Sequence, residues 1–264
     1  MSGADEAYAH WSRLHGGIDP RSSAWIAGWV RLTHACARPL ARRGVHPDAV
    51  TGAGVALSAA VPLLAWAGAA WPLLATLALV VAAVLDGVDG ALAAQTGTDS
   101  AWGRVLDPLA DRCSDLLLVL TLVVLGAPGW LGAGLAVTTL LLESVRSTGQ
   151  VAGLGGAGAI TVWERPSRVI VPAFATALVA AEWAARRWGV SVLPSVDGPV
   201  LATVAAAIAG ALALVGLLHV LVAVRRGLGR RTDQVGHDPR REDDQGQPAP
   251  RVRRPADEEE PRQG

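Results

Sequence analysis

The residues of this chain best suited to chemistry are four aspartates that stand at the edges of long apolar runs. Asp86 and Asp89 are three residues apart, and Asp107 and Asp111 are four apart, so each pair shares one face of a helix. A carboxylate inside a membrane span costs roughly 2.5–3.5 kcal/mol on insertion scales. Four facing carboxylates cannot satisfy one another, so one or two divalent cations, Mg²⁺ or Mn²⁺, are their simplest partners.

The elements that must position these aspartates are membrane-spanning helices. The chain is rich in Ala, Val and Leu and contains several apolar stretches of about 20 residues, the length that crosses a bilayer. We therefore predict an all-α integral membrane protein with six spans, near 49–66, 71–94, 103–126, 130–147, 163–188 and 199–224. Both aspartate pairs then lie at one membrane face, in the last turns of the second span and the first turns of the third.

The segments on either side of the six-helix domain, residues 47–228, have different compositions. Residues 1–46 are predicted to form a cytoplasmic segment with an amphipathic helix over 22–43, in which Trp25 and Trp29 face one side. Such a helix suits the headgroup level of a membrane, and a solvated helix against the protein is the alternative. Residues 229–264 are rich in Arg, Asp, Glu, Gln and Pro, so a disordered cytoplasmic tail is predicted there.

Charge and cysteine content narrow the functional classes. The formal net charge is zero, so nothing suggests a nucleic-acid partner. Cys36 and Cys113 form no disulfide or zinc pattern. The arginines concentrate on the side that holds both termini, whereas the opposite side has only Arg186 and Arg187. By the positive-inside tendency, we predict a multi-pass cell-membrane protein whose termini and aspartate site are cytoplasmic.

The spacing of the aspartates resembles the signature of the CDP-alcohol phosphatidyltransferase family. That signature reads D-x-x-D-G-x-x-A-R, eight residues, then G-x-x-x-D-x-x-x-D, and it is matched by Asp86, Asp89, Gly90, Ala93, Gly103, Asp107 and Asp111. The departure is Ala94, which stands in place of the arginine and puts nucleotide affinity or substrate choice in question. Over roughly residues 38–225, the resemblance implies an enzyme of phospholipid biosynthesis. Such an enzyme transfers a phosphatidyl or other substituted phosphate group from a CDP-linked lipid to an acceptor alcohol and releases CMP.

The resemblance also implies roles for single residues. Asp86, Asp89 and Asp107 would be metal ligands, and Asp111 would be both the catalytic base and a ligand. Residues expected at the nucleotide are Pro47, Asp48, Thr51, Gly90, Ala93, Ser100 and Gly103. The implied partners are CDP-diacylglycerol or a similar CDP-linked lipid, an acceptor alcohol and the lipid bilayer, with a homodimer as the assembly.

Three arginines are candidates for holding the acceptor. The sequence E-R-P-x-R at 164–168 resembles an element of the phosphatidylinositol-phosphate-synthase branch of the family, and it contains Arg165 and Arg168. Arg146 aligns roughly with another basic position of that branch. A phosphorylated acceptor would suit these guanidinium groups, and the alternative is that they are topological anchors. We also expect Glu143 to orient Arg146, and Asp115 to pair with Arg112 or Arg146, with metal ligation by Asp115 as the alternative.

Two other functions compete with this interpretation. A cation transporter would also carry carboxylates in its spans, but these aspartates lie near span ends and have no inverted counterpart. A catalytically silent relative is allowed by Ala94, whereas the four intact aspartates favour an active enzyme.

Overall fold

The computed structural model describes residues 3–14, 17, 19–98, 100–154, 160–190 and 197–236, and every regular element in this part of the chain is helical. The α-helices are α1 Gly3–Leu14, α2 Ala24–Arg42, α3 Pro47–Trp66, α4 Trp71–Thr96, α5 Gly103–Val124, α6 Gly129–Val151, α7 Arg165–Arg187 and α8 Gly198–Gly236. A short 3₁₀ turn, Pro20–Ser22, precedes α2. The predicted all-α class is therefore confirmed for the described residues.

Within the described residues, four helices are long and apolar enough to cross a membrane: α3, α4, α7 and the part of α8 over Gly198–Gly229. The other two predicted spans, α5 and α6, have 22 and 23 residues, but α5 carries several charged side chains in its first half. Large apolar side chains remain exposed on the outside of the bundle, such as Leu73 at 60% and Leu77 at 59% on α4. An apolar surface of this kind suits hydrocarbon rather than water.

Local signals explain the helix ends nearest the aspartates. Pro47 occupies the first position of α3, where its missing N–H costs no hydrogen bond, and His46 Nδ1 accepts a hydrogen bond from the Asp48 N–H at 3.3 Å. Helix α4 ends at Gly97, whose φ of 64° lies in the left-handed region that favours glycine. These signals fix where α3 begins and where α4 ends, and so fix which residues of the two helices lie at that end of the bundle.

Small residues allow the helices to pack closely. The buried face of α8 is a stripe of alanines, which packs around Leu142 and Trp163 and consists of Ala202, Ala206, Ala209 and Ala213. A second apolar cluster joins α3, α4 and α5 around Val61 and Leu79. Because membrane helices gain little from hydrophobic burial, such close contact supplies much of their association. The closely packed helices therefore hold the polar residues at the end of the bundle in fixed positions relative to one another.

The structure corrects the predicted flanking segments. Helix α1 was not predicted, and α8 continues to Gly236, into the segment for which a disordered tail was predicted. The rest of the predicted tail, 237–264, lies outside the described residues. Helix α2 packs against α4, and a Cβ on Gly87 would lie 2.7 Å from the Thr33 side chain. This contact favours the alternative in which the amphipathic helix lies against the protein, although Trp25 remains 73% exposed.

Candidate functional site at the meeting of three helices

The ends of α4, α5 and α7 meet around one guanidinium group. Arg165 Nη2 donates to Asp86 Oδ1 at 2.6 Å, and Arg165 Nη1 makes an ion pair with Asp111. The Asp86 and Asp111 carboxyl groups also lie next to each other. All three side chains are about a third exposed. The structure therefore unites one member of each predicted aspartate pair with one predicted acceptor arginine.

Asp89 is held by a different set of contacts. Its carboxylate is buried, with Oδ2 accepting from Thr51 Oγ1 at 2.7 Å and Oδ1 accepting from the Gly90 N–H at 2.7 Å. Thr51 lies in the first turns of α3, so the Pro47–Thr51 segment, which the family resemblance assigns to the nucleotide, reaches Asp89. The orientation of the Asp89 carboxylate is consequently fixed by two hydrogen bonds.

The predicted metal ligands are brought together only in part. Asp107 is exposed on α5, near enough to Asp89 for their charges to interact. In the described part of the chain, no group of three or more His, Cys, Asp or Glu side chains is already arranged to hold a metal ion. The donors are nevertheless all carboxylate oxygens, and one cationic group already spans Asp86 and Asp111. The residues therefore fit a hard divalent cation in ligand type and charge.

Of the predicted nucleotide residues, Thr51 and Gly90 contact Asp89, whereas Ser100 and Gly103 contact each other at the start of α5. Ser100 Oγ accepts a hydrogen bond from the Gly103 N–H at 2.8 Å and so caps the start of α5. A Cβ built on Gly90 would meet nothing within 4 Å, so the backbone there is open to a ligand. Pro47 is buried, and Asp48 and Ala93 are half-buried on the neighbouring turns of α3 and α4.

A cavity of about 300 Å³ lies between α1, α2 and α4. Asp86, Gly90 and Ala94 line its α4 side, and Trp29 and His34 lie on its α2 side. The end of α4 is tied to α2 by the Gln95 Nε2 amide, which donates to the His34 carbonyl oxygen at 3.0 Å. This volume lies at the lower end of the range for small-molecule pockets. Ala94, which departs from the family signature, therefore borders an open space.

Arg168 lies in a buried ion-pair network below the site. It is 5% exposed, and its Nη1 donates to Asp115 Oδ2 at 2.8 Å while Nη2 donates to Glu143 Oε1 at 2.5 Å. Glu143 also accepts from Arg146 at 3.1 Å and from Arg112 at 3.2 Å. The expected contact between Glu143 and Arg146 is confirmed. The expected partner of Asp115 was wrong, because Arg168 of α7 pairs with it instead of Arg112 or Arg146.

The segment before α7 is fastened to the same network. Arg146 Nη2 donates to Glu164 Oε1 at 2.7 Å, and the Thr161 N–H and hydroxyl donate to the same oxygen at 2.8 and 2.9 Å. Burial raises the pKa of Glu164, but the hydrogen bonds from Arg146 and Thr161 outweigh it and hold that pKa below its ordinary value. Glu164 consequently stays ionised and anchors the residue that follows it, Arg165.

Sequence reasoning missed the extent of this network. The visible signal was the presence of charged residues, Glu143 and Arg146, inside an otherwise apolar helix, where such residues need partners. Arg112 and Asp115 on α5 carried the same signal. Their partners are 31 and 53 residues away, so the pairing pattern could not be read from local spacing.

Comparison with known protein families identifies the family that has this arrangement of residues. The model of the CDP-alcohol phosphatidyltransferase family matches residues 45–226, which contain the aspartates and all of α3 to α7. The chain belongs to the CDP-alcohol phosphatidyltransferase family. It is a transferase of phospholipid biosynthesis, and the predicted family is confirmed.

Curated relatives come from bacteria and archaea. The chain is 32% identical to the phosphatidylinositol phosphate synthase of Mycobacteroides abscessus over 157 residues, covering 54% of this chain and 67% of the relative. It is 35% identical to the archaetidylinositol phosphate synthase of Pyrococcus horikoshii over 100 residues, covering 38% of this chain and 53% of the relative. The matched region thus spans about two thirds of the bacterial protein and about half of the archaeal one.

Solved structures share the fold. The phosphatidylinositol phosphate synthase of Mycobacterium tuberculosis in complex with manganese and citrate superposes with a TM-score of 0.55 at 24% identity, covering 73% of this chain and 88% of that one. The structure of the same protein with CDP-DAG bound gives a TM-score of 0.53 and covers 74% of this chain and 94% of that one. At this identity the likeness establishes a common fold.

Proposed function

We propose that this enzyme transfers the phosphatidyl group of CDP-diacylglycerol to a hydroxyl of a phosphorylated polyol such as inositol phosphate. A bond forms between the acceptor oxygen and the lipid-linked phosphorus, the bond to CMP breaks, and CMP leaves. The observation that carries the proposal is the meeting of Asp86, Asp111 and Arg165 at one end of an apolar bundle. Carboxylates there suit a metal and a proton, and a guanidinium group suits a phosphate. The names of the bacterial relatives favour this acceptor class.

Each aspartate has a proposed role. Asp111 takes the proton of the attacking hydroxyl, and Asp86, Asp89 and Asp107 join it in holding Mg²⁺ or Mn²⁺. A divalent cation bound there supplies charge neutralisation for the departing CMP. Thr51 supports this arrangement by orienting Asp89. The nucleotide lies along the open backbone of Gly90, between the start of α3 and the Ser100-capped start of α5.

The three arginines proposed at the acceptor site have two different roles. Arg165 is partly exposed beside Asp111 and is proposed to contact the acceptor phosphate directly. Arg146 and Arg168 form ion pairs with Glu143, Glu164 and Asp115, so we assign them to holding the start of α7 in place. This assignment narrows the direct acceptor contact to Arg165.

The proposed topology has six spans, with α5 and α6 completing the set. Residues 1–46 and 229–264 then flank the domain 47–228 on the cytoplasmic side, and the active protein is a homodimer. The orientation rests on the arginines, because the side opposite the aspartates has only Arg186 and Arg187. Trp66, Trp130 and Trp188 are 78%, 76% and 84% exposed and suit a membrane interface, which tryptophans occupy on either side.

Labelling from one side of the membrane tests the orientation. Cys36 and Cys113 are first replaced by serine, and single cysteines are then placed at the exposed positions Thr98 and Val190. An impermeant maleimide added to intact cells is expected to label Val190→Cys, while Thr98→Cys reacts only after the membrane is opened. The opposite pattern would contradict a cytoplasmic active site.

Release of CMP tests the reaction itself. Purified enzyme with CDP-diacylglycerol labelled in the cytidine is expected to release labelled CMP when Mg²⁺ and inositol phosphate are both present. Chelation by excess EDTA should stop the release, and Mn²⁺ should restore it. Parallel reactions with inositol, glycerol phosphate and glycerol identify the acceptor. Release with none of these alcohols would contradict the proposal and favour the catalytically silent alternative.

Ala94→Arg is expected to be tolerated and to tighten binding of the CDP-linked substrate. The cavity beside Ala94 has room for the longer side chain, and a guanidinium group that meets a phosphate contributes about 1.5–3 kcal/mol. The measurement is the KM for CDP-diacylglycerol, with Ala94→Gln as the uncharged control of similar length. Lost activity in Ala94→Arg alone would mean that this chain uses the space for a different donor or acceptor.

A further inference from the structure

Arg165 occupies an unusual position for a residue that is to bind a substrate phosphate. Its guanidinium already bridges Asp86 on α4 and Asp111 on α5. Both of these carboxylates are proposed ligands of the divalent cation, and Asp111 is also the proposed base. The guanidinium group of Arg165 and the divalent cation therefore compete for the same two carboxylates.

The surroundings of Arg165 hold its backbone but leave its side chain partly accessible. Glu164, the preceding residue, is fastened by Arg146 and Thr161, and Arg168, one turn later, is buried between Asp115 and Glu143. The Arg165 side chain is by contrast 29% exposed. The Arg165 side chain can therefore change rotamer without a change in the anchored backbone, and rotamer changes are fast compared with helix motions.

We propose that Arg165 is an exchangeable counter-ion of the aspartate site. Its guanidinium neutralises Asp86 and Asp111 in the absence of the divalent cation, and it leaves them when the cation binds. The inference rests on the proposed function, since it assumes that these carboxylates hold the metal. It adds a coupling: binding of the cation releases Arg165 toward an anionic ligand, and binding of the anion strengthens binding of the cation.

Two physical reasons support the exchange. A carboxylate oxygen that accepts a strong hydrogen bond from a guanidinium group has less electron density to offer a metal or a proton, so Asp111 serves as a base only after Arg165 has moved. Two ionised carboxylates side by side repel each other, and a cation between them relieves this repulsion and keeps both of them ionised. The guanidinium supplies one without recruiting an ion from solution. By linkage, any gain in cation affinity caused by the anion equals the gain in anion affinity caused by the cation.

The first test measures the affinity of purified protein for Mn²⁺ by electron paramagnetic resonance, without substrate. Arg165→Gln removes the competing cation and is expected to bind Mn²⁺ more tightly than wild type, within the range of about 5-fold to 150-fold that is typical of coupled sites. The Mn²⁺ affinity of Arg165→Lys should lie between those of wild type and Arg165→Gln, because an ammonium group is a point charge that cannot bridge both carboxylates in the same way. Arg104→Gln, which removes one exposed charge from the start of α5, controls for net charge.

The second test uses wild-type protein and therefore does not depend on the folding of a variant. Arginine modification by phenylglyoxal is followed by mass spectrometry with and without Mg²⁺. Modification of Arg165 is expected to rise when Mg²⁺ is present, whereas the buried Arg168 stays protected and the exposed Arg186 stays reactive in both conditions. In a third measurement, sulfate should tighten Mn²⁺ binding to wild type, relative to chloride at equal ionic strength, and should not do so in Arg165→Gln.

The outcomes separate this inference from the proposed function. Binding of Mn²⁺ to wild type and Arg165→Gln with equal affinity, or weaker binding to the variant, would overturn the counter-ion role while leaving the metal site in place. Unchanged Arg165 modification on addition of Mg²⁺ would overturn it independently, and an equal sulfate effect in the two proteins would overturn the coupling to anions. Absence of Mn²⁺ binding from wild type and variant alike would instead remove the metal site, and the inference with it.

Discussion

Asp111→Asn is expected to slow turnover by about 10²–10⁴-fold, the usual contribution of a general base. The amide has nearly the size of the carboxylate but cannot accept the proton of the attacking hydroxyl. Because Asp111 is one of several proposed metal ligands, metal-dependent binding of the CDP-linked substrate should be retained. The two quantities to compare are the rate of CMP release under saturating substrates and the dissociation constant of the CDP-linked lipid.

A matched variant separates this effect from a general loss of charge. Asp197→Asn makes the same chemical change just before α8, where the carboxylate accepts from the Val200 N–H at 3.0 Å, remote in sequence from the aspartates. It should leave the rate of CMP release close to wild type. An Asp111→Asn enzyme that retains more than about a tenth of the wild-type rate, well above the range for a lost base, would mean that another group accepts the proton.

Arg168→Met is expected to destabilise the protein by about 3–5 kcal/mol, the cost of removing one partner from a buried ion pair. The variant leaves Asp115 and Glu143 buried without the guanidinium that satisfies them. The free energy of unfolding of the variant and of wild type is measured by denaturant titration in detergent micelles. Arg187→Met is the matched control, because Arg187 is an exposed arginine of the same helix, and exposed charges of this kind contribute about 0–1 kcal/mol.

The same variant distinguishes support from direct acceptor binding. A folded Arg168→Met enzyme of wild-type stability whose only defect is a raised KM for the acceptor would return Arg168 to the set of acceptor contacts. Loss of stability, partly recovered when Asp115→Leu is added, is the result expected of a buried ion pair. The double variant should recover part of the loss because it removes the uncompensated charge together with its partner.

Helix existence and most helix ends were predictable from sequence. The predicted spans at 49–66 and 103–126 correspond to α3, Pro47–Trp66, and α5, Gly103–Val124. These ends follow from local signals, such as proline at a first helical position and glycine after a last turn. The continuation of α8 to Gly236 was missed because a polar composition was taken as the sign of a disordered tail.

The residues of the candidate site were predictable from the sequence, but the ion pairs that they form were not. Spacing along two helices identified Asp86, Asp89, Asp107 and Asp111, because residues three or four apart share a helix face. The family resemblance assigned Pro47, Asp48 and Thr51 to the nucleotide, and it did not indicate that Thr51 donates to Asp89. Asp115 received the wrong partner, because its arginine comes from a helix that begins 50 residues later along the chain.

By itself, the sequence determined the family, the apolar helices and the residue types at the site, since these depend on spacing and hydropathy within single helices. Only the tertiary structure decided which arginine neutralises which carboxylate. Arg165 and Asp86 are separated by 79 residues, and nothing local distinguishes Arg165 from Arg168, three residues later. The packing of α7 against α4 and α5 makes that distinction. It places Arg168 in the buried network, where a charge must be balanced at low dielectric, and it places Arg165 between the two partly exposed aspartates.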